Sequence, residues 1–235
     1  MLTINADDWG RSKAETDIAH TCHALGTVTS VSAMVFMKDS ERAAEIACHE
    51  DMDAGLHLNF TEAFTGDAPP RLREAQSRIA RFLRCNKYAL LFYHPLLGNA
   101  FRYVYAMQAD EFHRLYGLEP SRFDGHQHMH LCSNMLFDRI IPRGSRVRGT
   151  FSFQRGDKGA LNRAYRAFVK WWMTEHYAMP DYFFALSQCL GGKRLDRALE
   201  LARSAQVEVM THPVRADEYG HLTSENFRAL LADVL

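Results

Sequence analysis

Leu2-Thr3-Ile4-Asn5-Ala6-Asp7-Asp8-Trp9-Gly10 is the stretch on which the reading of this chain turns. Leu2-Thr3-Ile4 is short and apolar, as a buried first strand requires, and a helical pattern begins at Ser12. Asp7 and Asp8 therefore stand together where a strand ends. Two like charges at a strand tip are costly unless something positive lies between them, and a divalent cation meets that need with oxygen ligands. A helix cap from one Asp and solvation of the other would explain the pair equally well, so the remaining chain has to decide.

With 235 residues, the sequence is long enough for one large domain, and we expect a single domain over 1–235 with a helical insertion at about 71–117. Lys plus Arg and Asp plus Glu both number 28, so net charge offers no case for nucleic acid and a small or neutral partner is expected. Five scattered cysteines form no CxxC pair, which fits free thiols in a reducing cytosol. No targeting segment opens the chain and no run of about 18 apolar residues occurs, so a cytoplasmic protein with no integral membrane segment is expected.

Ser12 with Glu15 makes a capping box for a helix ending near Gly26, and strands are expected at 29–36 and 54–62. In the second of these, a period of two puts His57 and Asn59 on one face, which points that face toward a site. Residues 71–117 read as at least two helices broken near Pro95 and Gly98, rich in arginine and aromatics. Read as a strand, Arg122-Phe123-Asp124-Gly125-His126-Gln127-His128-Met129-His130 would project Asp124, His126, His128 and His130 from one side. Core packing explains such a run poorly, because each buried polar group would need its own partner. Further strands are expected at 148–153, 182–187 and 207–213, the last carrying His212 before Pro213. Trp171, Trp172, Tyr182, Phe183 and Phe184 could supply an apolar patch for a homodimer.

About seven strands alternating with helices argue for an α/β protein with a parallel sheet. Neither a GxGxxG turn nor a Gly-rich GK[ST] loop occurs. Asp7 and Asp8, His57, the 124–130 cluster and His212 each fall near the end of a different strand, and a closed barrel brings such ends to one mouth. An irregular, TIM-like (β/α) barrel is therefore expected. One carboxylate plus two imidazoles leaves open metal positions for water and substrate, as in hydrolytic centres. A second Asp can act as base and a separate His as acid, which suits an amide or ester hydrolase. Spacing alone also permits His126 and His128 to share the metal, with His57 as a substrate contact.

Four segments, 5–10, 55–62, 124–130 and 208–213, resemble in order the motif blocks of the YdjC/ChbG-like carbohydrate deacetylases. The resemblance implies an irregular (β/α) barrel that removes N-acetyl groups from amino sugars. It implies one divalent metal (Zn, Mg or Mn) on Asp8, His57 and His126, with Asp7 as base, His212 as acid, and His128 and His130 on the substrate side. Asn59 and Asp124 are grouped with the substrate contacts. Family members often place Gly after the last His-Pro, whereas Val214 and Arg215 follow here. The arginines and aromatics of 88–116 and 165–184 make a nucleotide-linked or lipid-linked acetamido sugar an alternative to chitooligosaccharide. Competing functions are a metal-dependent phosphoesterase and a non-catalytic, metal-stabilised sugar-binding protein.

Overall fold

A computed structural model describes residues 1–86, 88–152, 160–190 and 193–232. In chain order the elements are β1 (Leu2–Trp9), α1 (Lys13–Ala24), β2 (Ser30–Ala33), α2 (Ser40–His49), β3 (Asp53–Leu58), α3 (Pro70–Leu83), α4 (Gly98–Tyr116), β4 (Phe123–Gly125) and α5 (Ser133–Phe137). They continue with α6 (Ala160–Thr174), β5 (Tyr182–Ala185), α7 (Leu186–Cys189), α8 (Arg194–Ala202), β6 (Val207–Thr211), α9 (Ala216–Leu222) and α10 (Glu225–Ala232). The six strands among the described residues form one sheet in the order β4-β3-β2-β1-β6-β5. Strand and helix alternate, as expected for an α/β chain.

Backbone contacts divide the chain into two compact units. One comprises residues 1–6, 18–30 and 143–235. Here the first residues of β1 pair in parallel with β6, Leu2 opposite Val207 through Ala6 opposite Thr211, and β6 pairs in parallel with β5. Every residue of β6 is buried, as befits a parallel strand covered on both faces. A charge pair lies inside this unit: Arg148, fully buried, donates from Nε to Oε1 of Glu208 on β6 at 2.7 Å. Its guanidinium also lies 5.1 Å from the centre of the Phe183 ring.

The strand expected at 148–153 does not form over its described part, residues 148–152. That segment runs beside β5 but makes one backbone bond there, from Ser152 N to Phe183 O at 2.8 Å. Arg148 spends its side chain on Glu208 instead of on a strand face. Phe153 lies outside the described residues. The described strands therefore number six, not seven.

The second unit comprises residues 7–17 and 31–142. β3 and β4 pair in parallel within it, with His57 opposite Asp124. Trp9 is buried and donates from its indole to Ala43 O of α2. α3 buries Leu72, Gln76, Ile79 and Leu83, and α4 buries Phe101, Val104, Gln108 and Phe112, each at helical spacing. α4 ends at Gly117, whose left-handed φ of 71° lets its amide bond His113 O. Between the two helices the chain makes short 3-10 turns at Ala89–Leu91 and Pro95–Leu97.

Candidate metal centre

β1 delivers Asp7 and Asp8 side by side, both buried. In a regular strand adjacent side chains point to opposite faces. Asp8 instead has a left-handed φ of 65°, a conformation Asp tolerates better than most residues. Both carboxylates consequently reach His57: in each of the groups Asp8–His57–His126 and Asp7–His57–Asp124, one ligand atom per residue lies within 4.8 Å of the others.

Parallel pairing of β3 with β4 sets His57 beside Asp124, and Nδ1 of His57 lies 2.6 Å from Asp124 Oδ1. Asp124's other oxygen accepts the Ser32 hydroxyl from β2 at 2.5 Å. His57 thus keeps Nε2 turned to Asp8 Oδ1, 3.4 Å away. Nδ1 of His126 lies 3.0 Å from the same Asp8 oxygen, and the two rings meet edge to face at 5.6 Å. Burial alone would raise the Asp8 carboxyl, but hydrogen bonds and charge from His126 and His57 hold it well below the usual carboxylate range. Burial likewise pulls the His57 pKa down; the charges of Asp124 and Asp7, with hydrogen bonds to Asp124 and Asp8, outweigh it and push the pKa up.

The 124–130 segment departs from its expected form. β4 ends at Gly125, and His126–Leu131 is a 3-10 turn in which Gln127 and His128 both take positive φ, 55° and 59°. The histidines therefore do not share one strand face. His126 points to Asp8, His130 is buried, and His128 is half-buried with its ring centre 6.4 Å from that of His130. Glycine is needed at 125, where a Cβ would sit 2.8 Å from His130 N.

Asn59 and Asp124, expected as substrate contacts, are fully buried and committed inside the protein. β3 ends at Leu58, and Asn59 Oδ1 accepts the amides of Thr61 and Glu62 while its Nδ2 donates to Glu62 O at 2.8 Å. Asn59 thus folds the turn that carries Glu62. The insertion helices fix the same turn: Gln108 Oε1 accepts the Asn59 amide at 2.7 Å, and Gln76 Nε2 donates to Glu62 O at 2.6 Å.

His212 belongs to the unit built on β5 and β6, just beyond β6. The buried Glu218 of α9 accepts both the Thr211 hydroxyl and the His212 amide at 2.7 Å through Oε2. Arg215 pairs with Asp217 and with Glu218.

A family model described as "YdjC-like protein" matches residues 1–233. The chain belongs to the YdjC family. It is 29% identical over 226 residues to a chitooligosaccharide deacetylase of Proteus mirabilis, covering 92% of this chain and 82% of that protein. To a carbohydrate deacetylase of Vibrio parahaemolyticus it is 27% identical over 220 residues, covering 92% of this chain and 79% of the relative. Among solved structures, a putative cellobiose-phosphate cleavage protein of Enterococcus faecalis shares the fold with a TM-score of 0.62 at 19% identity, over 99% of this chain and 94% of the other.

In this YdjC-family chain the donor set of Asp8, His57 and His126 fits a divalent cation. It offers one carboxylate oxygen and two imidazole nitrogens, all buried and mutually close, and Asp124 fixes the His57 tautomer from behind. Two residues at this centre escaped the sequence reading as participants. Glu62 Oε2 lies 3.0 Å from His126 Nε2, and Arg11 bridges Glu62 Oε1 at 2.9 Å and Asp8 Oδ2 at 3.4 Å. Asn59 three residues before Glu62 is the local signal that could have found it, since an Asn that caps a turn aims the residues after it.

Proposed function

We propose that the protein is a hydrolase that removes the N-acetyl group from an amino sugar or acetamido-sugar conjugate, using a divalent cation held by Asp8, His57 and His126. The observation that carries this reading is the buried Asp8–His57–His126 group backed by Asp124. Whole-chain similarity to proteins named as chitooligosaccharide and carbohydrate deacetylases supplies the substrate class. Bound there, a cation of Zn, Mg or Mn supplies Lewis acidity toward the amide carbonyl and a lowered pKa for water. Asp124 keeps His57 in the tautomer that turns Nε2 forward, and Glu62 braces His126.

In this reading Asp7 takes the proton of the attacking water. His212, positioned through its backbone by Glu218, returns a proton to the amine as the C–N bond breaks. His128, half-buried beside the left-handed turn, contacts the sugar, with His130 behind it. Products are acetate and the free amino sugar. Metal-loaded protein incubated with a panel of acetamido sugars and conjugates is expected to release acetate, and Asp8→Asn or His126→Ala to abolish the release. Acetate release that persists in both variants would overturn the assignment, and absence of release across the panel would overturn the reaction.

A further inference from the structure

The segment between α3 and α4 presents an unusual surface. Tyr88, Leu91, Phe92, Tyr93 and Leu96 are all exposed, Phe92 by 62% and Leu96 by 78%. Phe137, 57% exposed, extends the patch through an edge contact with Tyr93 at 6.4 Å. Isolated exposed apolar residues need no explanation, but a contiguous group of large ones marks a surface that something covers. Beside it runs a cationic stripe. Arg71, Arg78 and Arg81 are exposed on α3 at helical spacing, and no carboxylate of the described residues forms an ion pair with any of them. A cleft of about 420 Å³ joins stripe to patch, lined by Arg71, Glu74, Arg78, Asn99, Tyr103 and Leu96. Arg71 stands 4.9 Å over the Tyr103 ring.

We infer that this face docks on the surface of an anionic lipid bilayer, with Leu91, Phe92 and Leu96 entering the acyl boundary and Arg71, Arg78 and Arg81 meeting lipid phosphates. Two independent features select this occupant. Tyrosines at 88 and 93 bracket Leu91 and Phe92, with Leu96 three residues beyond, so amphipathic rings stand beside the apolar ones as they do at headgroup level. The guanidiniums fit phosphate oxygens and add attraction to a negative surface. A second copy meeting the same face would bring three more unpaired arginines into one interface, and that added like charge disfavours a self-complementary dimer. Among the described residues no helix is long and apolar enough to cross a membrane, so the attachment is peripheral.

Flotation of the purified full chain with vesicles of phosphatidylcholine alone, and of phosphatidylcholine with phosphatidylglycerol, tests this directly. Protein is expected to float with the anionic vesicles only, and added salt to release it. Phe92→Ser combined with Leu96→Ser is expected to lower the bound fraction about tenfold or more, since each removes a large apolar group that the bilayer would otherwise cover. Arg78→Glu combined with Arg81→Glu is expected to abolish the preference for anionic vesicles. All four positions are exposed, so circular dichroism should show wild-type folding in both variants. Wild-type protein that stays with the soluble fraction, or variants that float equally well, would overturn the proposal. So would a dimer in sedimentation equilibrium that the Phe92→Ser, Leu96→Ser variant turns into a monomer. No activity measurement enters, so the outcome is independent of the reaction proposed above.

Discussion

Asp124 Oδ1 lies 2.6 Å from His57 Nδ1, and the two residues are register partners on adjacent parallel strands. Sheet pairing itself therefore aligns His57 with the carboxylate that supports it. Asp124→Asn preserves shape but weakens the hold on the tautomer. Metal affinity measured by isothermal titration is expected to fall about 10- to 100-fold, the usual effect of losing such a support. Unchanged affinity would show that His57 is oriented by something else.

Glu62 is the corresponding support for His126, but its side chain is 28% exposed and water can replace part of the contact. Glu62→Gln is expected to lower metal affinity less than Asp124→Asn does, in the same titration. The reverse ranking would mean that Glu62 itself serves as a ligand.

Metal binding should strengthen as pH rises through neutrality. In the metal-free protein the charges around His57 push its pKa above the ordinary imidazole value, so the ring retains a proton at neutral pH. A cation must displace that proton, and it competes better as protons become scarce. Titrations in buffers of different ionisation enthalpy should therefore register proton release on binding, and apparent affinity that is flat with pH would count against His57 as a ligand.

The buried Arg148–Glu208 pair sets a stability prediction away from the site. Glu208→Ala strands a guanidinium in the interior and is expected to cost about 3–5 kcal/mol in urea unfolding. Replacing both residues with apolar side chains of matching volume is expected to recover much of the loss. A single variant as stable as wild type would show that water reaches Arg148.

Gln108 sits among apolar residues on α4 yet bonds the backbone of Asn59 through both ends of its amide, at 2.7 and 3.3 Å. Gln108→Leu leaves that backbone unsatisfied and is expected to cost about 1–3 kcal/mol. It should also lower acetate release more than a comparable loss of stability elsewhere, because the loosened turn carries Glu62. Equal effects on activity and stability would reduce the insertion to packing.

The sequence made the strand-end chemistry legible because charge is costly at a strand tip. Asp7 and Asp8 emerged that way, whereas His57 and His126 emerged from alternation along strands whose starts were placed well enough to find them. What failed was periodicity carried past the end of a strand. Asn59 and His128 were read by alternation, but β3 stops at Leu58 and β4 at Gly125. Beyond those points an Asn-capped turn and two consecutive left-handed residues decide direction, and alternation says nothing about either. Arg148 misled for a related reason: a β-like composition over 148–152 cannot reveal that its arginine is drawn inward by Glu208.

The grip of Glu218 on His212 separates two things that usually travel together. Pairing with β1 and β5 fixes β6 as far as Thr211, whereas the histidine just past it takes its station from a carboxylate six residues downstream. Lengthening or shortening the 213–217 connection would thus retune the reach of the imidazole while the sheet stayed put. In the proposed reaction, that short span alone would set how far the acid reaches toward the amine.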